Sequence, residues 1–315
     1  MNAIAQSARS WRVGLIGYGE VGRIVAQDLR ELGVGQVLAC DRKLGTERQQ
    51  PLLDHARGCG VQLAASAREL AAGCDLLISA VTASQAVAVA QDCAGGLRAG
   101  AWFVDVNSAS PGAKRQAAAA VDGAGGRYVE AAVMTSVPPY RSKVPMLLGG
   151  THARELEPAL HELGFQGARF GDERLGIVSA TKMCRSVMIK GLEAMVIESF
   201  SAARAYGVED AVMASLAETF PGIDWEKQGA YFFQRVIEHG RRRSEEMREV
   251  ARTVEEAGLH PWSAAGSAER QAWVADLAER GVFGARGQPG FARSPDWRTE
   301  ADRLLAAAPD RDKKD

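Results

Sequence analysis

One stretch near the start limits the folds open to this chain more than any other. Arg12-Val13-Gly14-Leu15-Ile16 is a short apolar run, Gly17-Tyr18-Gly19-Glu20-Val21-Gly22 follows at once, and Val21, Ile24, Val25 and Leu29 then recur at helical spacing. Strand, glycine turn and helix thus stand in the order a dinucleotide-binding fingerprint requires. The three glycines have separate tasks: Gly17 permits the tight turn, Gly19 lets the backbone approach a pyrophosphate, and Gly22 lets the helix pack on the strand. The pyrophosphate is expected at the helix N-terminus, with residues 17–22 as its cradle.

The context supports that reading. Gln36-Val37-Leu38-Ala39-Cys40 reads as a second strand, and Asp41 follows it about twenty residues beyond Gly22, where an acid accepts hydrogen bonds from the adenosine ribose. Asp41 favours NAD. Arg42 and Lys43 come immediately after and would instead hold the 2′-phosphate of NADP. Apolar runs at 75–81 and 101–106 suit parallel strands buried on both faces, and 127–133 and 144–148 read as later strands. Alternation with helix-period segments predicts an α/β fold, a Rossmann-type doubly wound parallel sheet with ligands at its carboxyl edge. Val81, Thr82, Ala83, Ser84, Asn107 and Ser108 are placed on that edge.

A chain of 315 residues is long enough for two domains. With 38 basic against 39 acidic residues it lacks the basic surface that nucleic-acid binding needs. Cys40, Cys59, Cys74, Cys93 and Cys184 form no C-x-x-C pair and suit reduced thiols in a cytoplasm. No apolar run reaches membrane-spanning length, and residues 1–10 have neither a basic nor an apolar leader segment, so a cytoplasmic, unprocessed protein is expected. His55, His152, His161 and His260 have no metal-ligand spacing, and no metal is expected.

The segment from Gly176 to Phe200 reads as one long helix. Met188, Leu192, Met195 and Phe200 lie near one face, and Lys182, Ser186, Ile189 and Glu193 on another. A lysine there is either a snorkelling edge residue or a buried proton carrier. From Gly207 onward the periodicity is helical: Met247, Val250, Ala251, Val254 and Ala257 form a stripe that Gly258 and Pro261 stop. The expected organisation is a nucleotide-binding domain over 1–172, an all-α domain over 173–285, and a loosely held polar tail over 286–315 with a short helix near 297–307. Arg235, His239 and Arg242 share a helical face beside Arg241 and Arg243. That run is either a solvated face balanced by Glu245, Glu246 and Glu249, or an anion clamp for a carboxylate or phosphate.

Together these motifs resemble the β-hydroxyacid dehydrogenase superfamily, which includes 6-phosphogluconate dehydrogenase and 3-hydroxyisobutyrate dehydrogenase. After the glycine fingerprint, Asp105-Val106-Asn107-Ser108 resembles the loop that touches nicotinamide ribose and substrate, Glu130 to Ser136 the substrate-binding turn, and Gly176 to Lys182 the segment presenting the catalytic lysine. Met134-Thr135-Ser136 replaces the family's Ser-Gly-Gly, and Ser186 stands where an asparagine is usual. Residues 221–225, 235–247 and 258–261 are similar to a branch whose helical C-terminal domain is uncharacterised. The resemblance implies a homodimer and a small anionic hydroxy acid as substrate, with hydride passing to or from NAD or NADP. Lys182 is then the base, Arg185 a neighbouring cation, and Ser186 the group that orients it. Oxidation, oxidative decarboxylation and carbonyl reduction all remain open, while the retained lysine argues against imine reduction. The other class of function is a dinucleotide-binding redox sensor or interaction protein, for which the glycine loop alone would suffice.

Overall fold

A computed structural model describes residues 7–292 and 294–308. The chain divides into two compact units, Met1–Met183 and Cys184–Asp315. The division falls within a helix, beyond the boundary at 172 expected from the sequence.

In the first unit, β1 (Arg12–Ile16), α1 (Glu20–Glu31), β2 (Gln36–Cys40), α2 (Gln50–Cys59), β3 (Gln62–Leu63), α3 (Ala67–Gly73) and β4 (Leu76–Ser79) come first. They are followed by α4 (Ala86–Ala94), β5 (Trp102–Asp105), α5 (Pro111–Gly123), β6 (Arg127–Val133), β7 (Met146–Gly149), α6 (Ala153–Glu162) and β8 (Ala168–Asp172). One sheet holds all eight strands in the order β3-β2-β1-β4-β5-β6-β7-β8. Neighbours run parallel except β6 and β7, which are antiparallel. No crossover helix separates β6 from β7, so the chain turns back on itself and the direction reverses there. Two strands have no counterpart in the sequence reading: β3 spans two residues, and β8 (Ala168–Asp172) is an edge strand without a continuous apolar run.

Every residue of β4 and of β5 is buried, as a central parallel strand requires. One face of the sheet packs on Leu29 of α1, Ala56 of α2 and Leu156 of α6. The other packs on Leu70 of α3, Ala90 and Cys93 of α4, and Val121 of α5. This is the doubly wound arrangement expected from the alternation of strands and helices. All five cysteines are free thiols, and burial pushes Cys40 up to about 12 and Cys74 up to about 11.

The second unit takes over within α7 (Ile177–Tyr206) and continues through α8 (Glu209–Thr219), α9 (Trp225–Glu256), α10 (Trp262–Glu279) and α11 (Trp297–Ala307). Asp224 caps α9 by accepting from the Lys227 N–H, and Gly258 ends the turn after it with φ +82°. α9 and α10 pack closely: a Cβ on Gly240 would lie 2.7 Å from the Gln271 carbonyl oxygen. Val196, Ile197, Phe200, Phe233, Val274 and Leu277 form the centre of the apolar core.

Two expectations change here. Met188 and Met195 are 70% and 59% exposed, while Ser186, Lys190, Glu193, Ile197 and Phe200 form the buried stripe of α7. Polar residues can line that inward face because each charge meets a partner. Arg243 of α9 grips Glu193 through two guanidinium nitrogens, and Lys190 pairs with Glu246 at 2.8 Å. The second change concerns residues 286–308, which are not a loose tail where they are described. Phe291, Ala292, Trp297, Ala301 and Leu304 join the core, and Trp297 lies against Phe200 with ring centroids 4.9 Å apart. Its indole N–H donates to Glu226 at 2.9 Å. Two aromatic anchors therefore outweigh the polar composition around them, and the last residues of the expected tail, 309–315, lie outside the described ones.

Trp297→Ala should remove one wall of this core and cost about 3–5 kcal/mol, read as a lowered midpoint in urea unfolding followed by fluorescence. His239 of α9 supplies a pH test. Burial, with Arg235 beside it, pushes its imidazole down from 6.5 to about 4. A base depressed in the folded state contributes stability above its unfolded value, and that contribution is lost as pH falls through the folded one. Unfolding free energy should therefore decline as pH drops from 6.5 toward 4, and His239→Gln should flatten that decline.

Candidate active site

At the glycine turn, backbone geometry accounts for each glycine. Gly17 has φ +90°, and a Cβ there would lie 2.4 Å from the Ala80 carbonyl oxygen. At Gly22 a Cβ would lie 2.1 Å from the Gly17 carbonyl oxygen, which is how α1 packs against the turn. Gly19 differs, since a Cβ would meet nothing within 4 Å. It faces open space at the N-cap of α1, and no side chain caps that end. The residues present therefore fit a pyrophosphate: open backbone, no Cβ, and unsatisfied helix N–H groups.

Around this turn the expected ligand residues divide into two kinds. Tyr18 turns its side chain into the core, where its hydroxyl meets His55 Nδ1 at 2.8 Å; burial pushes the phenol up and the imidazole down. Tyr18 thus meets the turn through its backbone only, donating its N–H to Asp41 Oδ2 at 2.8 Å. Asp41 Oδ1 accepts from the Lys43 N–H at 2.9 Å. A carboxylate offers about four lone-pair positions, so Asp41 keeps capacity for a ribose. Glu20 and Arg42 are exposed, and Val21 and Thr82 half-buried or exposed on the same edge.

Past β4 and β5 the carboxyl edge is built on buried polar groups. Asp105 is 1% exposed at the end of β5. Its carboxylate accepts from the Asn107 N–H (2.9 Å), Asn107 Nδ2 (2.7 Å), the Tyr128 hydroxyl (2.7 Å) and Lys114 Nζ (2.9 Å). Asn107 Oδ1 accepts from the Val81 N–H at 2.7 Å, and Nδ2 also donates to Ser79 Oγ at 3.0 Å. The Val81 donor settles which end of the amide is oxygen. Both amide hydrogens are then used inside the protein, while Oδ1 keeps a second lone pair, so a nicotinamide ribose would meet Asn107 through that oxygen. The side chain also ties the end of β4 to the end of β5.

Ser108, the next residue, is half-buried, and Lys182 Nζ donates to its Oγ at 2.6 Å. Lys182 stands in the second turn of α7, whose start is also held. Glu130 of β6, fully buried, accepts from the Gly176 N–H at 2.6 Å. Met134 is half-buried, and Thr135 and Ser136 are exposed in the loop after β6. Lys182, Ser108, the Asn107 clamp and the glycine turn all belong to the first unit.

Of the groups that build this edge, the sequence did not single out Lys114 or Tyr128, and Asp105 and Glu130 entered only as the first residues of two motifs. Signals for two of them exist: Lys114 falls on the inward face of an alanine-rich helix with Ala113, Ala117, Ala118 and Val121, and Asp105 interrupts an otherwise apolar strand.

The remaining expected residues lie in the second unit. Arg185 is exposed. Ser186 is buried, and its hydroxyl accepts from Lys190 Nζ at 3.5 Å, one turn onward, so its bond runs away from Lys182. Arg241 pairs with Asp276 and Glu279, Arg242 with Glu246 at 2.6 Å, and Arg243 with Glu193. Those three cations are already matched, and the solvated, balanced face describes Arg241 and Arg242 better than an anion clamp. Arg235 is half-buried over the Tyr231 ring at 6.0 Å, and its buried Nε has no hydrogen-bond partner among the described residues. Among the described residues no acid, histidine and cysteine cluster is built to hold a metal, and no helix is long and apolar enough to cross a membrane.

Comparison with known proteins agrees with this architecture. Residues 12–168 match the NAD binding domain of 6-phosphogluconate dehydrogenase, and residues 203–274 match a domain of unknown function, DUF1932. A conserved hypothetical protein from Sinorhizobium meliloti is 33% identical, covering 96% of this chain and 100% of that one, with a TM-score of 0.73. A second conserved protein, described as structurally similar to 3-hydroxyacid dehydrogenases, is 29% identical over 85% of this chain and 99% of its own, with a TM-score of 0.64. The 3-hydroxyisobutyrate dehydrogenase of Mycobacterium tuberculosis shares the fold at 18% identity and a TM-score of 0.62, covering 93% of this chain and 99% of that one. The chain belongs to the β-hydroxyacid dehydrogenase superfamily, in the branch that joins a 6-phosphogluconate dehydrogenase-type NAD-binding domain to a DUF1932 helical domain.

Proposed function

We propose that this protein is an NAD(P)-dependent oxidoreductase acting between a small hydroxy acid and its carbonyl partner, with Lys182 handling the hydroxyl proton. The observation that carries this reading is the Lys182 Nζ to Ser108 Oγ contact of 2.6 Å at the carboxyl edge of the sheet that carries the glycine turn. A redox sensor needs no such amine. The described likeness of a relative to 3-hydroxyacid dehydrogenases supports the substrate class.

A bound nicotinamide supplies the hydride acceptor or donor. Lys182 takes the hydroxyl proton when the alcohol is oxidised and returns it to the oxygen when the carbonyl is reduced. Reduction draws on the ammonium form of Lys182 and oxidation on its neutral amine. Ser108 holds Nζ in place through its hydroxyl. We assign the ribose to Asp41 and so favour NAD, because its negative charge opposes a 2′-phosphate and its carboxylate has acceptor capacity left.

Titrating the protein with NADH and with NADPH, followed by reduced-nicotinamide fluorescence, should give tighter binding for NADH; a preference for NADPH would overturn the Asp41 assignment in favour of Arg42. A panel of short-chain hydroxy acids should reveal turnover that Lys182→Met lowers by roughly 10²–10⁴-fold with cofactor affinity unchanged. Cofactor binding without turnover of any panel member would favour the sensor, and near wild-type kcat in Lys182→Met would remove the lysine from the mechanism.

A further inference from the structure

Two buried acids stand side by side on neighbouring strands, and each is bonded to the segment that carries one partner of the Lys182–Ser108 contact. Asp105 and Glu130 are register partners on the parallel strands β5 and β6, so they project to the same face of the sheet. Asp105 fixes the loop that carries Ser108 three residues on, through its bonds with both the backbone and the side chain of Asn107. Glu130 fixes the first residue before α7, through the Gly176 N–H, less than two helical turns ahead of Lys182.

Among the described residues Glu130 has no counter-ion to account for its burial and, for Oε2, no hydrogen-bond partner. It is 0% exposed, and Oε1 takes one backbone N–H. Burying a carboxyl group for one hydrogen bond costs free energy that an apolar side chain would not. The surroundings are shaped to admit it as well: a Cβ on Gly149 would lie 2.6 Å from Glu130 Oε1. Gly176 adopts φ +97° and so presents its N–H from a backbone conformation that other residues rarely take.

The geometry points to Asp105 and Glu130 as a pair of positioning residues for the proton carrier, one setting Ser108 and the other setting the start of the helix that bears Lys182. This rests on the reading of Lys182 as the proton carrier, but its test does not need turnover. Donation to Ser108 engages Nζ, so a loosened contact leaves the amine more often free for an acylating reagent.

The test is acetylation of the full-length protein at fixed pH, with each lysine read by peptide mass spectrometry. Glu130→Leu should raise Lys182 labelling about fivefold, the equivalent of one ordinary hydrogen bond. Lys114, 2% exposed, should stay protected and so reports that the fold is intact. Glu130→Gln keeps an acceptor oxygen for the Gly176 N–H and should label like wild type. Unchanged Lys182 labelling in Glu130→Leu with Lys114 protected would overturn the proposal, as would equal labelling in the Gln and Leu variants. Should Lys114 become labelled in Glu130→Leu, Tyr128→Phe decides, since it removes a single donor from Asp105. Raised Lys182 labelling there with Lys114 protected supports the pair, and wild-type labelling overturns it. A protein that turns over no hydroxy acid yet labels as expected would refute the proposed function and leave the positioning pair standing.

Discussion

The carboxyl edge of the sheet depends on a single buried carboxylate. Asp105 sits at the end of a central strand with four donors around its two oxygens. An isolated charge at that depth would be untenable, and the Lys114 pair by itself would do little better than offset the loss of water. The additional donors change the balance, because in a low-dielectric interior each charge-assisted hydrogen bond is strong and each unmade one is costly. Burial and Asp105 beside it together push the Tyr128 phenol upward, so that group remains a donor at any physiological pH. The result is a fixed point from which Asn107, Val81 and Ser108 take their positions.

How much of this was legible in the sequence follows from what kind of interaction specifies each part. The glycine turn was legible because its requirements are local: Gly17 needs positive φ, and Gly22 needs the absence of a Cβ, and both can be stated from spacing. The central strands were legible because burial on both faces demands a continuous apolar run. β8 and the reversed direction of β7 were not, since an edge strand needs no such run and the direction of a strand is decided by the connection that precedes it. The Asn107 clamp was hidden for a different reason. An asparagine after a strand looks the same in sequence whether its amide meets a ligand or the end of the neighbouring strand.

The helical unit shows the limit of hydrophobic patterning. Met188 and Met195 suggested an inward face, yet α7 buries Ser186, Lys190 and Glu193 in the second unit. Patterning counts apolar side chains, whereas this interface is specified by charges that find partners on α9, including the grip of Arg243 on Glu193. Trp297 is the opposite case. Its polar neighbourhood read as a tail, but Trp297, with its hydrogen-bonded indole, and Phe291 bring this segment into the core.

The division of the chain inside α7 has a consequence for how such proteins can vary. A loop between domains absorbs insertions and deletions, but a helix converts each one into a rotation of about 100° for everything beyond it. Gly176 and Lys182 are bonded to partners in the first unit, and Lys190 and Glu193 are paired with α9 in the second. Within each set, the number of residues between the bonded groups is therefore held by helical phase. An insertion between Gly176 and Lys182, or between Lys190 and Glu193, would turn one bonded group of its set away from its partner, so both stretches accept substitution far more readily than a change of length.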